Sequence, residues 1–130
     1  MRQRAVGIIV QNNKILLIHR IKDNEEYYCL PGGGVEDNEI SEDTVIREIQ
    51  EELNVIIEST KKVFEFENKG EIETYYLINR FSGLMKIIGD MKPGRNMKDS
   101  VEWCDKKKIE QVNLVPLKAK QLILKMQIVY

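Results

Sequence analysis

Three glutamates, Glu48, Glu51 and Glu52, stand three and four positions apart inside the stretch "LPGGGVEDNEISEDTVIREIQEELNV", residues 30–55. On a helix turning about 100° per residue they fill an arc of about 100°. Like charges at these spacings repel by roughly 0.2–0.5 kcal/mol per pair on an exposed helix, so something must offset the repulsion. An apolar stripe of Val45, Ile46, Ile49 and Leu53 borders the acidic arc and places the carboxylates at the rim of a core, facing a cleft. Hard oxygen donors in this arrangement suit Mg²⁺ or Mn²⁺. Such ions accept one or a few carboxylates, keep waters and complete their shell with substrate phosphates. A bound cation turns repulsion into attraction, and the chemistry it indicates is that of phosphates.

The neighbouring residues fit the same chemistry. Gly32, Gly33 and Gly34 let the backbone pass close to the helix or to a ligand. Arg47, adjacent to Glu48 and four residues before Glu51, is placed to brace a carboxylate through a charge-assisted hydrogen bond.

These residues must be held by a scaffold. Residues 4–11 ("RAVGIIVQ") and 14–21 ("KILLIHRI") are apolar, β-branched runs joined at Asn12-Asn13, a hairpin-compatible turn. Their near-continuous apolarity predicts central strands covered on both faces. "EYYCLPGGG" predicts a short strand ending in a turn. A helix opens at Ile40-Ser41, with Ser41 as N-cap and Ile40 and Val45 as a hydrophobic staple. Asn54 closes it in the left-handed conformation. "VIIEST", "KVFEFEN" and "EIETYYLINRF" predict strands, the last two joined by "NKG", and "VEWCD" a short late strand. "KKKIEQV" predicts a helical turn, and "PLKAKQLILKMQ" a terminal amphipathic helix with Pro116 at its start. The expected class is α/β: a mixed sheet with a helix on each face, in one domain over residues 1–130.

The chain has 130 residues, 42% hydrophobic and 32% charged, with a net charge of −1. That composition describes a globular protein, and the balanced charge gives no reason to expect a nucleic-acid or membrane partner. Cys29 and Cys104 lack metal-ligand spacing, and no apolar run reaches the roughly 18–20 residues of a membrane span. With no clear signal peptide, the expectation is a reduced, cytoplasmic protein, monomer or homodimer.

The stretch closely resembles the Nudix box, G-x5-E-x7-R-E-U-x-E-E-x-G-U, where U is a bulky aliphatic residue. Gly33, Glu39, Arg47, Glu48, Ile49, Glu51, Glu52 and Val55 fall in register, and Asn54 alone departs from the pattern, standing in place of Gly. Upstream, "YCLPGG" is similar to the family's aromatic-x-Leu-Pro-Gly-Gly entrance, with Tyr28 in the aromatic place. "VEWCD" looks like its late strand, with Glu102 as the acidic residue before Trp103.

The resemblance implies an α/β/α sandwich that hydrolyses a nucleoside diphosphate linked to another moiety, with Mg²⁺ or Mn²⁺ as cofactor. It makes Glu48, Glu51 and Glu52 metal ligands, Glu39 a further or supporting ligand, and Arg47 the group that orients them. The general base falls to Glu48 or Glu52, with Glu102 behind them. His19, the only histidine, is expected to be structural or to touch substrate. Substrate contacts are expected from Gly33 and Gly34. Walls come from Tyr28, Tyr75, Tyr76, Phe81 or Trp103, an amide from Asn79 or Asn113, and phosphate contacts from Lys92, Arg95 or Lys98. The compact length and the absence of proline between Val55 and Pro93 favour a MutT-type enzyme that cleaves a nucleoside triphosphate to monophosphate and pyrophosphate. ADP-ribose, a nucleotide sugar or a dinucleoside polyphosphate is the alternative within enzymes, and a non-catalytic nucleotide-binding domain the alternative outside them.

Overall fold

The computed structural model describes residues 1–86 and 97–126. In chain order they form β1 (Arg2–Gln11), β2 (Lys14–Lys22), β3 (Glu25–Cys29), β4 (Gly32–Gly34), α1 (Ser41–Leu53), β5 (Ile56–Asn68), β6 (Glu71–Ser82), β7 (Met97–Asp105), a 3₁₀ helix (Lys106–Gln111) and α2 (Leu117–Lys125).

The strands make a mixed sheet in the order β3-β2-β1-β6-β5, with β4 added to β1 and β7 to β2. β1 runs parallel to β6, from Arg2 opposite Glu71 to Ile9 opposite Ile78. The β1–β2 hairpin turns at Asn12 and Asn13, whose φ of 51° and 63° match the left-handed pair that such a two-residue turn demands. The two strands pair only at Val10–Ile15 and Gln11–Lys14. Beyond that point they splay. β4 takes the freed edge of β1, from Arg4–Gly34 to Val6–Gly32, and β3 takes that of β2, from Ile18–Cys29 to Lys22–Glu25. The gap between the diverging halves is the cleft described below.

Strand alternation sorts the core into two layers. Ala5, Ile9 and Leu16 pack under α1 with Val45, Ile49 and Leu53. Val6, Ile8, Val10, Ile15 and Leu17 pack on the other side with Ile109, Ala119 and Ile123, beneath the 3₁₀ helix and α2. β1 is thus covered on both faces, as its apolarity predicts. α1 crosses β1 closely at Gly7, where a Cβ would stand 2.5 Å from Ile49 Cδ1.

Several local expectations change. Ser41 is the first helical residue, not the cap; Ile40 occupies the N-cap with extended backbone and no side-chain cap bond. Ile40 is exposed, so no staple forms with the buried Val45. The Ser41 hydroxyl is instead engaged with the Tyr76 hydroxyl on β6. Asn54 does close α1 at φ 58°, ψ 38°, with its N–H donated to Gln50 O. "VIIEST" and "KVFEFEN" are one strand, β5, carried past the polar Ser59–Lys62 run by register shifts against β6. "VEWCD" begins earlier, at Met97, and α2 later, at Leu117 after Pro116. Cys29 and Cys104 are unbridged. Among the described residues no helix is long and apolar enough to cross a membrane.

Candidate active site

α1 carries its carboxylates to the β4 edge of the sheet, and Arg47 organises them. Its guanidinium grips Glu39 with a fork, Nε to Oε2 at 2.7 Å and Nη2 to Oε1 at 2.9 Å. From Nη1 it reaches Glu48 at 3.1 Å and Glu51 at 3.3 Å, and Nη2 lies 3.4 Å from Gly34 O. Five donors in a rigid plane are what this task needs, and a lysine has no equivalent. The arginine is held charged, first by Glu39.

Glu39 is the anchor of that brace. Besides the fork it accepts the Thr44 hydroxyl at 2.6 Å and the Glu36 N–H at 3.2 Å. Arg47 first, then Thr44, hold its carboxyl down at about 2. Three of these bonds fall on Oε1 and one on Oε2, so Glu39 supports Arg47 and keeps one Oε2 position for a further ligand.

Glu48 lies over Gly33, where a Cβ would come within 2.5 and 2.6 Å of the two carboxylate oxygens. Gly33 is therefore a cradle for Glu48. Glu52 shares a hydrogen bond with Glu48, and burial followed by this acidic neighbour pushes its carboxyl up to about 8. Glu51 stays on the outer side, 60% exposed, against Arg47.

Among the described residues no three acidic, histidine or cysteine side chains converge as a ready-made metal site. Even so, the donors fit a hard divalent ion: two carboxylates in contact, one of them half-buried, over a glycine cradle that leaves space for them. Water and phosphate oxygens would supply the remaining ligands.

Glu52 also borders a cleft of about 490 Å³ between the splayed strands. Its walls carry Arg4 from β1, Arg20 from β2, Tyr27 and Cys29 from β3, and Glu73 and Tyr75 from β6. Arg20 is fixed by a bidentate pair with Asp99 of β7, at 2.8 and 2.9 Å. Burial holds the Cys29 thiol up at about 11, so it stays neutral.

The structure moves other expected residues elsewhere. Glu102 pairs with Leu17, whose side chain lies in the layer beneath α2, so alternation turns Glu102 away from α1. There it lies 2.8 Å from His19 Nδ1 and 3.5 Å from the Tyr28 hydroxyl. His19 also bonds Glu26 through Nε2 at 2.6 Å and stacks on Tyr28 at 4.6 Å, tying β2, β3 and β7 together. Glu102, His19 and Tyr28 thus form one cluster outside this cleft, and Tyr28 and Glu102 border a separate hollow of about 330 Å³. Asn113 donates to Glu26 O at 3.3 Å and borders an outer hollow beside Tyr27, Lys69 and Val115. Phe81 stacks on Trp103, Tyr76 meets Ser41, and Asn79 is exposed on β6. Lys98 lies exposed on β7, while Lys92 and Arg95 fall outside the described residues.

Sequence reasoning missed Arg4, Arg20, Tyr27 and Glu73. The available signal was alternation: a charged residue inside or at the end of an apolar strand marks a wall facing something polar.

A family model described as NUDIX domain matches residues 1–124. The chain is 36% identical over 96 residues to a protein named ADP-ribose pyrophosphatase from Methanocaldococcus jannaschii; the match covers 72% of this chain and 56% of that one. The chain therefore spans little more than half the length of this relative. Among solved structures, a MutT NUDIX hydrolase from Burkholderia pseudomallei shares 25% identity and a TM-score of 0.74, with 98% of both chains covered. A MutT structure described for Aliivibrio salmonicida and Vibrio cholerae shares the fold at a TM-score of 0.76 and 18% identity, covering 96% of this chain and 98% of its own. The box seen in the sequence is the braced cluster on α1, and the family model covers nearly all the residues around it: the chain belongs to the Nudix hydrolase family.

Proposed function

We propose that the chain hydrolyses a nucleoside diphosphate linked to another moiety, with Mg²⁺ or Mn²⁺, and that a nucleoside triphosphate is its preferred substrate. The observation that carries this reading is the Glu48–Glu52 pair, braced by Arg47 over Gly33 at the border of a cleft lined by Arg4 and Arg20. Glu48 and Glu52, with Glu51 on the exposed side, would hold the divalent cation, which would supply positive charge where the leaving phosphate becomes negative. The chain's own residues do the rest. Arg4 and Arg20 attract and orient the phosphates. Arg47 keeps Glu48 fixed, so that little reorganisation accompanies reaction. Glu48 or Glu52, in its ionised form, is the candidate to take a proton from the attacking water.

Congruence with a MutT protein over 98% of both chains supports the triphosphate reading. A second reading, ADP-ribose, rests on the 36% identity to a protein of that activity name. Products separate the two. A panel of canonical and oxidised triphosphates, ADP-ribose, nucleotide sugars and dinucleoside polyphosphates, assayed with Mg²⁺ or Mn²⁺, should give monophosphate and pyrophosphate from a triphosphate. Release of AMP and ribose 5-phosphate from ADP-ribose, with triphosphates untouched, would overturn the first reading in favour of the second. Nucleotide binding with no turnover of any member would leave a non-catalytic binding domain.

A further inference from the structure

The cleft contains a charge that the hydrolytic reading does not use. Glu73 is 7% exposed, yet it is a carboxylate and lines the cleft. Two neutral donors hold it: the Tyr75 hydroxyl on Oε1 at 2.7 Å and the Asn68 amide on Oε2 at 3.0 Å. Burial of Tyr75, then its bond to Glu73, raises the phenol well above its ordinary range, so it remains a donor.

Taking a carboxylate out of water is costly unless its lone pairs are met. A carboxylate offers about four acceptor positions, and the described residues fill two. One bond to each oxygen fixes the plane of the group and leaves one position on each oxygen. That is the geometry for receiving two adjacent, parallel donors. In a cleft that takes nucleotides by its arginine end, the candidates are few. Adenine, cytosine and uracil each present one donor beside acceptors on their pairing edges. Guanine presents N1–H next to N2–H₂, and a ribose presents its neighbouring 2′ and 3′ hydroxyls.

We propose that Glu73 is a specificity-determining residue, whose carboxylate receives a pair of adjacent N–H or O–H donors from the nucleoside part of the substrate. This rests on the hydrolytic reading only for the identity of the ligand as a nucleotide. It assigns the nucleoside to Glu73 and Tyr75 and the phosphates to the side of Arg20 and Glu52, with Arg4, the register partner of Glu73, between the two. A carboxylate at that position also repels phosphate, which keeps the substrate from binding in reverse.

The test is equilibrium binding of GMP, IMP and dGMP by calorimetry, without metal, so that no turnover is needed. IMP lacks the N2 amino group, and dGMP lacks the 2′ hydroxyl. Loss of a bond to a charged acceptor should weaken one of the two analogues by about tenfold or more relative to GMP. A GMP/IMP difference identifies the base edge as the donor pair, and a GMP/dGMP difference identifies the ribose. In Glu73→Gln, which keeps an acceptor for Tyr75, that ratio should fall close to one. A purely structural Glu73 would lower all three affinities together and leave the ratio standing. Equal binding of the three ligands by wild type, no binding of any, or a ratio unchanged in Glu73→Gln would overturn the proposal. Failure of the hydrolysis panel with the ratios intact would sink the catalytic reading and leave this one.

Discussion

Replacing Gly33 by Ala isolates the position of Glu48 from the stability of the fold. Gly33 has ordinary extended backbone in β4, so Ala introduces no conformational strain. Its Cβ would come within 2.5 and 2.6 Å of the Glu48 oxygens, where ordinary contact begins at 3.4 Å. The obstructing group is the end of a flexible side chain, and it gives way by about 1 Å. A shift of that size in a catalytic group costs on the order of 100-fold in rate, or about 2.7 kcal/mol of transition-state stabilisation. The fold should lose no more than about 1 kcal/mol.

Gly32→Ala is the contrast. Its Cβ would overlap the Ala5 carbonyl oxygen and stand 2.8 Å from Val6 Cα, backbone atoms of the central strand that cannot rotate aside. That variant should lose about 1–3 kcal/mol of stability or more. The assays are urea unfolding of both variants and kcat/KM on the best substrate of the panel. A folded Gly33→Ala enzyme with wild-type kcat/KM would refute the reasoning. So would a loss of stability equal to that of Gly32→Ala.

Three further outcomes follow from named contacts. Arg47→Lys keeps the charge but cannot span Glu39, Glu48 and Glu51, so kcat/KM should fall about 10–100-fold while the melting temperature drops only modestly; equal kinetics would dismiss the brace. Glu39 has a folded pKa of about 2 against an ordinary 4.5, so its contribution is complete above about pH 4.5 and is lost as pH falls towards 2. Wild type should therefore lose stability more steeply than Glu39→Gln over that window in pH-dependent urea unfolding; parallel curves would contradict the assignment. Asn54→Ala places a side chain without local hydrogen bonding at φ 58° and removes the contact to Leu84 O, which should cost about 1 kcal/mol by the urea midpoint.

Local signals carried much of this structure. Val45, Ile49 and Leu53 place α1 against the sheet, and Asn54 ends it where a left-handed residue is needed. The continuous apolarity of β1 follows from its burial between two layers. The departures arise where tertiary contact outweighs a local preference. Ser41 is a good cap by type but is drawn to Tyr76, 35 residues away, and the polar run that looks like a break in β5 is bridged by register shifts. The brace was legible because Arg47, Glu48 and Glu51 are neighbours on one helix. The cleft was not. Arg4 and Glu73 meet only through the parallel pairing of β1 with β6, and Glu102 is turned away by a register with β2 that no local pattern encodes.

The central claim is that the Glu48–Glu52 pair performs metal-dependent hydrolysis at the border of this cleft. Its most direct test is turnover of the best panel substrate with Mg²⁺ by wild type and by Glu52→Gln, with a thermal melt of each. The account predicts Mg²⁺-dependent turnover by wild type, and its loss in a Glu52→Gln protein that melts as cooperatively as wild type. Wild-type turnover by folded Glu52→Gln would contradict it.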